Sequence, residues 1–169
     1  LVGHSDGASI ALIAASARPP PNLRGLVLMA PHVLVEPETL AGITAAAHAY
    51  RATDLRDRLR RYHGEWVDGA FWGWNQAWRS AEFARWNIET YLPAVDVPVQ
   101  LIQGENDPYG TMAQLDRIQS GCTGPVSTLV LKDCAHSPFK EATALTTKTI
   151  AQCARRMFNG VAKGEPHTG

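Results

Sequence analysis

Short apolar segments alternate with helix-like segments at both ends of this chain, and that alternation limits the possible folds more than any other feature. The segment LVLM, which starts at Leu26, is apolar throughout and follows an alanine-rich helical stretch at 8–17. The segments VPVQLIQG and VSTLVL, which start at Val97 and Val126, are separated by the helix-like TMAQLDRIQ. Apolar strands that alternate with helices are typical of a parallel sheet. The sequence therefore predicts the α/β class, with a last helix at about 141–158.

The middle of the chain shows only helical patterns and contains all five tryptophans. Because this segment follows the second strand, we expect it to be a helical cap inserted into the α/β part. The predicted division is an α/β core at 1–32 and 93–160, a helical cap at 33–92 and a flexible tail at 161–169. Trp74 and Trp78 are four residues apart and share one helical face. Their rings either pack the cap onto the sheet or form the wall of an apolar pocket, and both roles stay open.

The composition excludes several classes of partner. Hydrophobic residues make up 45% of the chain and charged residues 19%, which is typical of a globular protein. The 16 basic residues balance the 16 acidic ones, so bulk charge attracts neither nucleic acid nor an anionic membrane. The three cysteines match no metal spacing and suggest a reducing compartment, so we expect a cytoplasmic protein.

The pentapeptide Gly3-His4-Ser5-Asp6-Gly7 lies between an apolar strand end and a helix. This G-x-S-x-G pattern is typical of a sharp turn that exposes a nucleophilic serine, with glycines that let the backbone pass close on both sides. The turn also places the backbone N–H of Asp6 where an oxyanion would form. The alternative is a serine that only caps the helix.

A nucleophilic serine needs a base, and the base needs an orienting acid. Asp107 in QGENDPYG directly follows a predicted strand, and its alternative role is an Asx-turn before Pro108. Because the carboxyl ends of parallel strands meet at one edge, this loop should lie near Ser5. Glu105 and Asp116 are rival acids, but Glu105 is nearer the strand and Asp116 falls within a helix.

The candidate base is His136 in LKDCAHSPF, on the loop after the last strand. Its alternative role is an exposed loop histidine. His32, which follows the second strand, is the main competitor and is expected instead to line the site. Serine, acid and histidine in that chain order, each after a strand, are the arrangement of an α/β-hydrolase.

With these segments in place, the sequence resembles the C-terminal part of an α/β-hydrolase with a helical cap. GHSDG matches the nucleophile elbow, APH the end of the next strand, GENDPYG the acid loop and DCAHSP the histidine loop. The resemblance implies that Ser5 is the nucleophile, His136 the general base and then acid, and Asp107 the group that fixes the imidazole. The aspartate after the nucleophile is similar to that of members that cleave amino-acid esters. The residues expected to contact substrate are His4, His32, Trp74, Trp78 and Tyr109.

The resemblance begins at the elbow, whereas complete members of the family carry four or five strands before it and a second oxyanion donor among them. We therefore expect a truncated α/β-hydrolase fold, mostly parallel, whose elbow strand is exposed at the edge of the sheet. Exposed edges recruit other chains, so a homodimer or larger assembly through this strand is expected.

Three functions remain open from the sequence. The first is a serine esterase that cleaves small acyl or aryl esters through an acyl-enzyme on Ser5. The second is a weakly active or non-catalytic remnant that self-associates. The third is a C–C bond hydrolase, thioesterase or perhydrolase with the same three residues. Phosphate-binding, dinucleotide-binding and metal-binding motifs are missing, so we expect no cofactor and no metal.

Overall fold

The computed structural model describes residues 1–159, and the predicted tail at 161–169 lies outside them. The chain divides into two compact units. One unit combines residues 1–33 with the chain from Ile88 onward, and the other spans Leu34–Asn87. The α-helices of the described residues are α1 (Asp6–Ala17), α2 (Pro37–Ala52), α3 (Leu55–His63), α4 (Val67–Trp78), α5 (Met112–Gly121), α6 (Pro138–Glu141) and α7 (Thr143–Asn159).

The first unit is built on a sheet of four parallel strands. The strands are β1 (Val2–His4), β2 (Leu26–Met29), β3 (Val99–Gly104) and β4 (Val126–Leu131). They lie side by side in chain order, so β1 and β4 are the outer strands of this sheet. The predicted α/β class and parallel sheet are therefore confirmed.

The centre of the sheet is its most buried part. Every residue of β2 and of β3 is buried, whereas β1 and β4 are partly exposed. Such fully buried strands fit a sheet that is covered on both faces. A core cluster joins β2, β3 and β4 to α7 through the buried side chains of Val27, Met29, Ile102, Leu131, Cys134 and Cys153.

Two helix boundaries differ from those expected from the sequence. The first helix begins at Asp6 rather than at residue 8, because the turn at Ser5 already directs the chain into it. The predicted last helix at 141–158 is two helices, α6 and α7, separated at Ala142. Proline is favoured in the first turn of a helix, and Pro138 starts α6 in this way.

The second unit consists of α2, α3 and α4 with short 3₁₀ turns, and it follows β2 in the chain. The rings of Tyr50 and Phe71 stack with their centroids 3.8 Å apart. The Tyr50 hydroxyl and the Arg56 guanidinium both donate to the carboxylate of Asp68, which joins α2, α3 and α4. This pairing lowers the pKa of Asp68 to about 2.

No helix within residues 1–159 combines the length and the apolar character that crossing a bilayer requires.

Candidate active site

The carboxyl ends of all four strands meet at one edge of the sheet. His4 pairs in register with Met29, Met29 with Ile102, and Gly104 with Leu131. The segments that follow these ends are the Ser5 turn, the His32 segment, the Asp107 loop and the His136 loop. Parallel strands place their following loops side by side in this way. Positive φ angles occur here at Ser5 (54°), Ala30 (47°) and Asp133 (53°), so backbone strain is concentrated at this edge.

Ser5 occupies a strained turn between β1 and α1. Its backbone N–H donates to the carbonyl oxygen of Met29 at 2.9 Å, which ties the turn to the end of β2. Gly3 is required because a Cβ there would lie 2.7 Å from the Cα of Ala8. A Cβ at Gly7 would meet no described atom within 4 Å outside its chain neighbours and the backbone of α1. Gly3 is therefore the position at which the close approach of the backbone leaves no room for a side chain.

Asp107 lies on the loop after β3, and its side chain is only 1% exposed. Its Oδ1 accepts a hydrogen bond from the backbone N–H of Tyr109 at 2.8 Å. Its Oδ2 accepts one from Nε2 of Gln103 at 2.9 Å. These bonds fix the plane of the carboxylate. The rival acids Glu105 and Asp116 are both exposed, the first on the same loop and the second on α5.

The loop that carries His136 is held by hydrogen bonds on either side of the imidazole. The carboxylate of Glu141 accepts from the backbone N–H of Ala135 at 2.6 Å and from that of Ser137 at 2.9 Å. The N–H of Asn106 donates to the carbonyl oxygen of Cys134 at 2.9 Å and so joins the acid loop to the histidine loop. These contacts place the imidazole between Ser5 and Asp107.

The structure brings Ser5, His136 and Asp107 into one chain of hydrogen bonds. Nε2 of His136 lies 3.0 Å from Oγ of Ser5, and Nδ1 lies 2.9 Å from Oδ2 of Asp107. A carboxylate only accepts hydrogen bonds, so the neutral imidazole carries its proton on Nδ1. The lone pair on Nε2 then faces the serine hydroxyl and is placed to remove its proton. The arrangement can therefore raise the nucleophilicity of the Ser5 oxygen.

Asp6 is the first residue of α1. Backbone N–H groups in the first turn of a helix lack an intrahelical acceptor, and the helix dipole makes this end positive. The Asp6 N–H is thus at the N-terminal end of α1, directly after Ser5 in the chain. Its role toward an oxyanion stays a prediction.

His4, a predicted substrate-contact residue, holds the histidine loop. Its Nε2 lies 2.6 Å from the carbonyl oxygen of His136, so the neutral His4 ring donates from Nε2. The ring also contacts that of Phe139 in an edge-on arrangement, with centroids 5.0 Å apart. Burial lowers the pKa of His4, which favours the neutral ring.

His32 and Tyr109 flank the imidazole of His136. The His32 ring centroid lies 6.0 Å from that of His136, and the Tyr109 ring meets His136 edge-on at 4.7 Å. His32 is buried, and its carbonyl oxygen accepts a hydrogen bond from Ser9. Burial and the neighbouring Asp107 raise the pKa of Tyr109, so its hydroxyl stays protonated. Both residues are placed next to His136, and their contact with substrate stays a prediction.

Trp74 and Trp78 belong to the helical unit. Trp74 lies against Phe71, with ring centroids 5.7 Å apart. Trp78 is buried and packs against the rings of Phe83 and Trp86. Both rings thus contribute to the interior of that unit, and a pocket role stays a prediction.

Two residues that support the site were missed from the sequence. Gln103 is a fully buried amide near the end of β3, a buried strand that is largely apolar, and it lies shortly before the acid loop. A polar residue inside such a strand was the available signal. Glu141 is separated from the loop it holds by a helical turn, and no local pattern indicates it.

Within the described part of the chain, no group of three or more His, Cys, Asp or Glu residues is arranged to hold a metal ion.

Several solved structures share the fold of this chain at low sequence identity. A candidate lipase from Acinetobacter baumannii superposes with a TM-score of 0.70 at 15% identity, over 94% of this chain and 61% of that one. An esterase from Exiguobacterium antarcticum superposes with a TM-score of 0.65 at 16% identity, over 92% of this chain and 66% of the esterase. A serine hydrolase involved in carbazole degradation superposes with a TM-score of 0.66 at 17% identity, over 92% of this chain and 63% of the hydrolase. The chain therefore spans less than two thirds of the length of these proteins.

No curated protein matches the sequence. The model of one protein family, the alpha/beta hydrolase family, matches residues 1–147 and so covers most of the chain. The parallel sheet, the serine turn after β1 and the loops after β3 and β4 all fall within that match. The chain belongs to the alpha/beta hydrolase family.

Proposed function

We propose that this chain carries the catalytic residues of a serine esterase that cleaves small acyl or aryl esters. The observation that supports the proposal is the chain of hydrogen bonds from Ser5 through His136 to the buried Asp107. A serine hydroxyl that faces an imidazole lone pair, with a carboxylate behind the imidazole, is the arrangement that acyl transfer requires. The similarity in fold to an esterase and to a candidate lipase supports the same class of substrate.

The first half of the reaction would acylate Ser5. The Oγ atom attacks the ester carbonyl carbon while Nε2 of His136 takes the hydroxyl proton. The resulting oxyanion would accept a hydrogen bond from the Asp6 N–H, the donor that this chain offers at the helix end. Collapse of the tetrahedral intermediate breaks the bond to the leaving oxygen, which receives the proton from His136 and departs as an alcohol.

The second half would release the acid and restore the enzyme. A water molecule attacks the acyl carbon while His136 takes one of its protons. Collapse then breaks the bond to Ser5 Oγ, which regains a proton from His136. Asp107 stays ionised throughout and stabilises the imidazolium that forms in each half. One ester and one water thus yield one acid and one alcohol.

Hydrolysis of p-nitrophenyl acetate by the parent protein and two serine variants tests the proposal. Ser5→Ala should lose nearly all turnover, because the nucleophile is gone and only binding and oxyanion contacts remain. Ser120→Ala is the matched control, since Ser120 is exposed on α5 and its hydroxyl, within residues 1–159, donates to carbonyl oxygens of its own helix. Equal turnover by Ser5→Ala and the parent protein would refute the proposal.

A further inference from the structure

The Asp107 carboxylate receives a hydrogen bond from a buried amide that lies outside the three reacting groups. Gln103, on β3, donates from Nε2 to Oδ2 of Asp107 at 2.9 Å. The same nitrogen donates to the carbonyl oxygen of Gly110 at 3.1 Å. Gln103 is 1% exposed, so water does not compete for either bond. The amide thus joins the start of the acid loop to its end across the carboxylate.

The chemistry of its two neighbours fixes the orientation of this amide. An ionised carboxylate and a backbone carbonyl both accept hydrogen bonds and cannot donate them. If the amide were rotated by half a turn, its oxygen would face two acceptors and both bonds would be lost. Nε2 therefore faces Asp107 and Gly110, and both of its hydrogens are used.

The other end of the amide carries a cost that a purely structural residue would avoid. The Oε1 atom of Gln103 is buried, and no protein group within residues 1–159 forms a hydrogen bond with it. An unsatisfied buried carbonyl oxygen destabilises the folded state. The neighbouring positions Leu101 and Ile102 are buried and apolar, so an apolar side chain can be accommodated at this end of β3. What glutamine adds at this position is the pair of N–H donors.

We propose that Gln103 is a positioning residue that acts through Asp107. Its N–H holds Oδ2, while the Tyr109 N–H holds Oδ1, so that the carboxylate cannot rotate away from Nδ1 of His136. The carboxylate in turn keeps the imidazole proton on Nδ1 and leaves Nε2 facing Ser5. Its effect on turnover rests on the proposed serine chemistry, whereas its effect on the imidazole does not.

Two variants on the same strand separate this role from simple packing. Gln103→Met keeps the length of the side chain and removes both N–H donors. Gln100→Met is the matched control, because Gln100 is also a buried glutamine on β3 but bonds to Leu101, Ser127 and Cys153 instead. Thermal unfolding of both variants reports the loss of stability that any buried glutamine would cause.

The decisive readout is the tautomer of His136, measured by ¹H–¹⁵N correlation spectroscopy and assigned with a His136→Asn variant. In the parent protein and in Gln100→Met, the neutral ring should carry its proton on Nδ1. In Gln103→Met a measurable share should carry it on Nε2. In ester hydrolysis, kcat should fall on the order of 10- to 100-fold with KM little changed, because the misplaced base acts only on the chemical step.

An unchanged tautomer in Gln103→Met, or a parent protein without the Nδ1–H form, would overturn the inference. If Gln103→Met does not fold, Gln103→Asn replaces it, since the shorter amide stays polar but is withdrawn from Asp107, and the same tautomer shift is expected. Measurement of the His136 tautomer does not require that the protein turns over any substrate. A parent protein that hydrolyses no ester would therefore refute the proposed function and leave this inference to be decided by the spectrum alone.

Discussion

Substitution of Gly104 by alanine should damage the site through the backbone alone. A Cβ at this position would overlap the carbonyl oxygens of Cys134 and Ala135 and would lie 2.7 Å from the carbonyl carbon of Cys134. Ordinary contact begins at 3.4 Å, so that carbon would have to retreat by about 0.7 Å and the two nearer oxygens by more, and these backbone atoms cannot turn aside as a flexible side chain would. The atoms that must move belong to the loop of His136.

The size of the effect follows from that displacement. Overpacking of this kind costs about 1–3 kcal/mol of folding stability. Misplacement of a catalytic group by about 1 Å costs on the order of 100-fold in rate, and the loop would move by a similar amount. We therefore expect Gly104→Ala to fold, with a lowered free energy of unfolding, and to lose on the order of 100-fold in kcat for ester hydrolysis.

The assay combines steady-state hydrolysis with urea unfolding followed by circular dichroism. Gly73→Ala is the matched control, because a Cβ at Gly73 in α4 would meet nothing within 4 Å among the described residues. In a helix, alanine is more stable than glycine by roughly 0.5–1 kcal/mol, so this control should keep its activity and gain slightly in stability. A Gly104→Ala protein with the kcat of the parent would refute the argument from close approach.

Two further predictions concern pH and association. Burial lowers the pKa of His4 below its ordinary 6.5 in the folded protein. As the pH drops through this range, His4 therefore binds more protons in the unfolded chain than in the folded one, and the free energy of unfolding should fall. His4→Gln keeps an N–H donor without titrating, so its free energy of unfolding should depend less on pH between 7 and about 5. Equal slopes of the free energy of unfolding against pH for the variant and the parent protein would contradict this prediction. The apolar side chains of Leu1 and Val2, at the start of β1, and of Ile10, on α1, are exposed, and we expect copies of the chain to associate through the edge at β1. Light scattering should then give a mass above the 18.4 kDa of one chain, and a stable monomer would contradict that expectation.

The sheet and the three hydrogen-bonded side chains were predictable because their signals are local. β2 is a short apolar run, β3 and β4 are rich in apolar residues, and Ser5, Asp107 and His136 follow the ends of β1, β3 and β4 within five residues. Parallel strands place all of these positions at one edge, so the grouping follows from topology without any knowledge of side-chain contacts. The alternation of strands and helices thus predicts which loops meet, and the G-x-S-x-G pattern with the family resemblance selects Ser5, Asp107 and His136 among the residues on them.

The supporting contacts were not predictable, because they depend on distances that a sequence does not contain. The bond from Gln103 to Asp107 requires the register of β3 and the conformation of the loop. Glu141 reaches back to the histidine loop only because the chain turns into α6 at Pro138. The sequence predicts His4 as a substrate-contact residue, but it contains no signal that the His4 ring also donates to the backbone of the histidine loop.

The central claim is that Ser5 is the nucleophile, and covalent labelling tests it most directly. A serine-directed phosphonate should add one phosphonyl group per chain, and peptide mapping by mass spectrometry should place it on Ser5. The label should be lost in Ser5→Ala and kept in Ser120→Ala, because His136 faces only the first of these hydroxyls. Attachment to any other residue, or no labelling of the folded parent protein, would contradict the account.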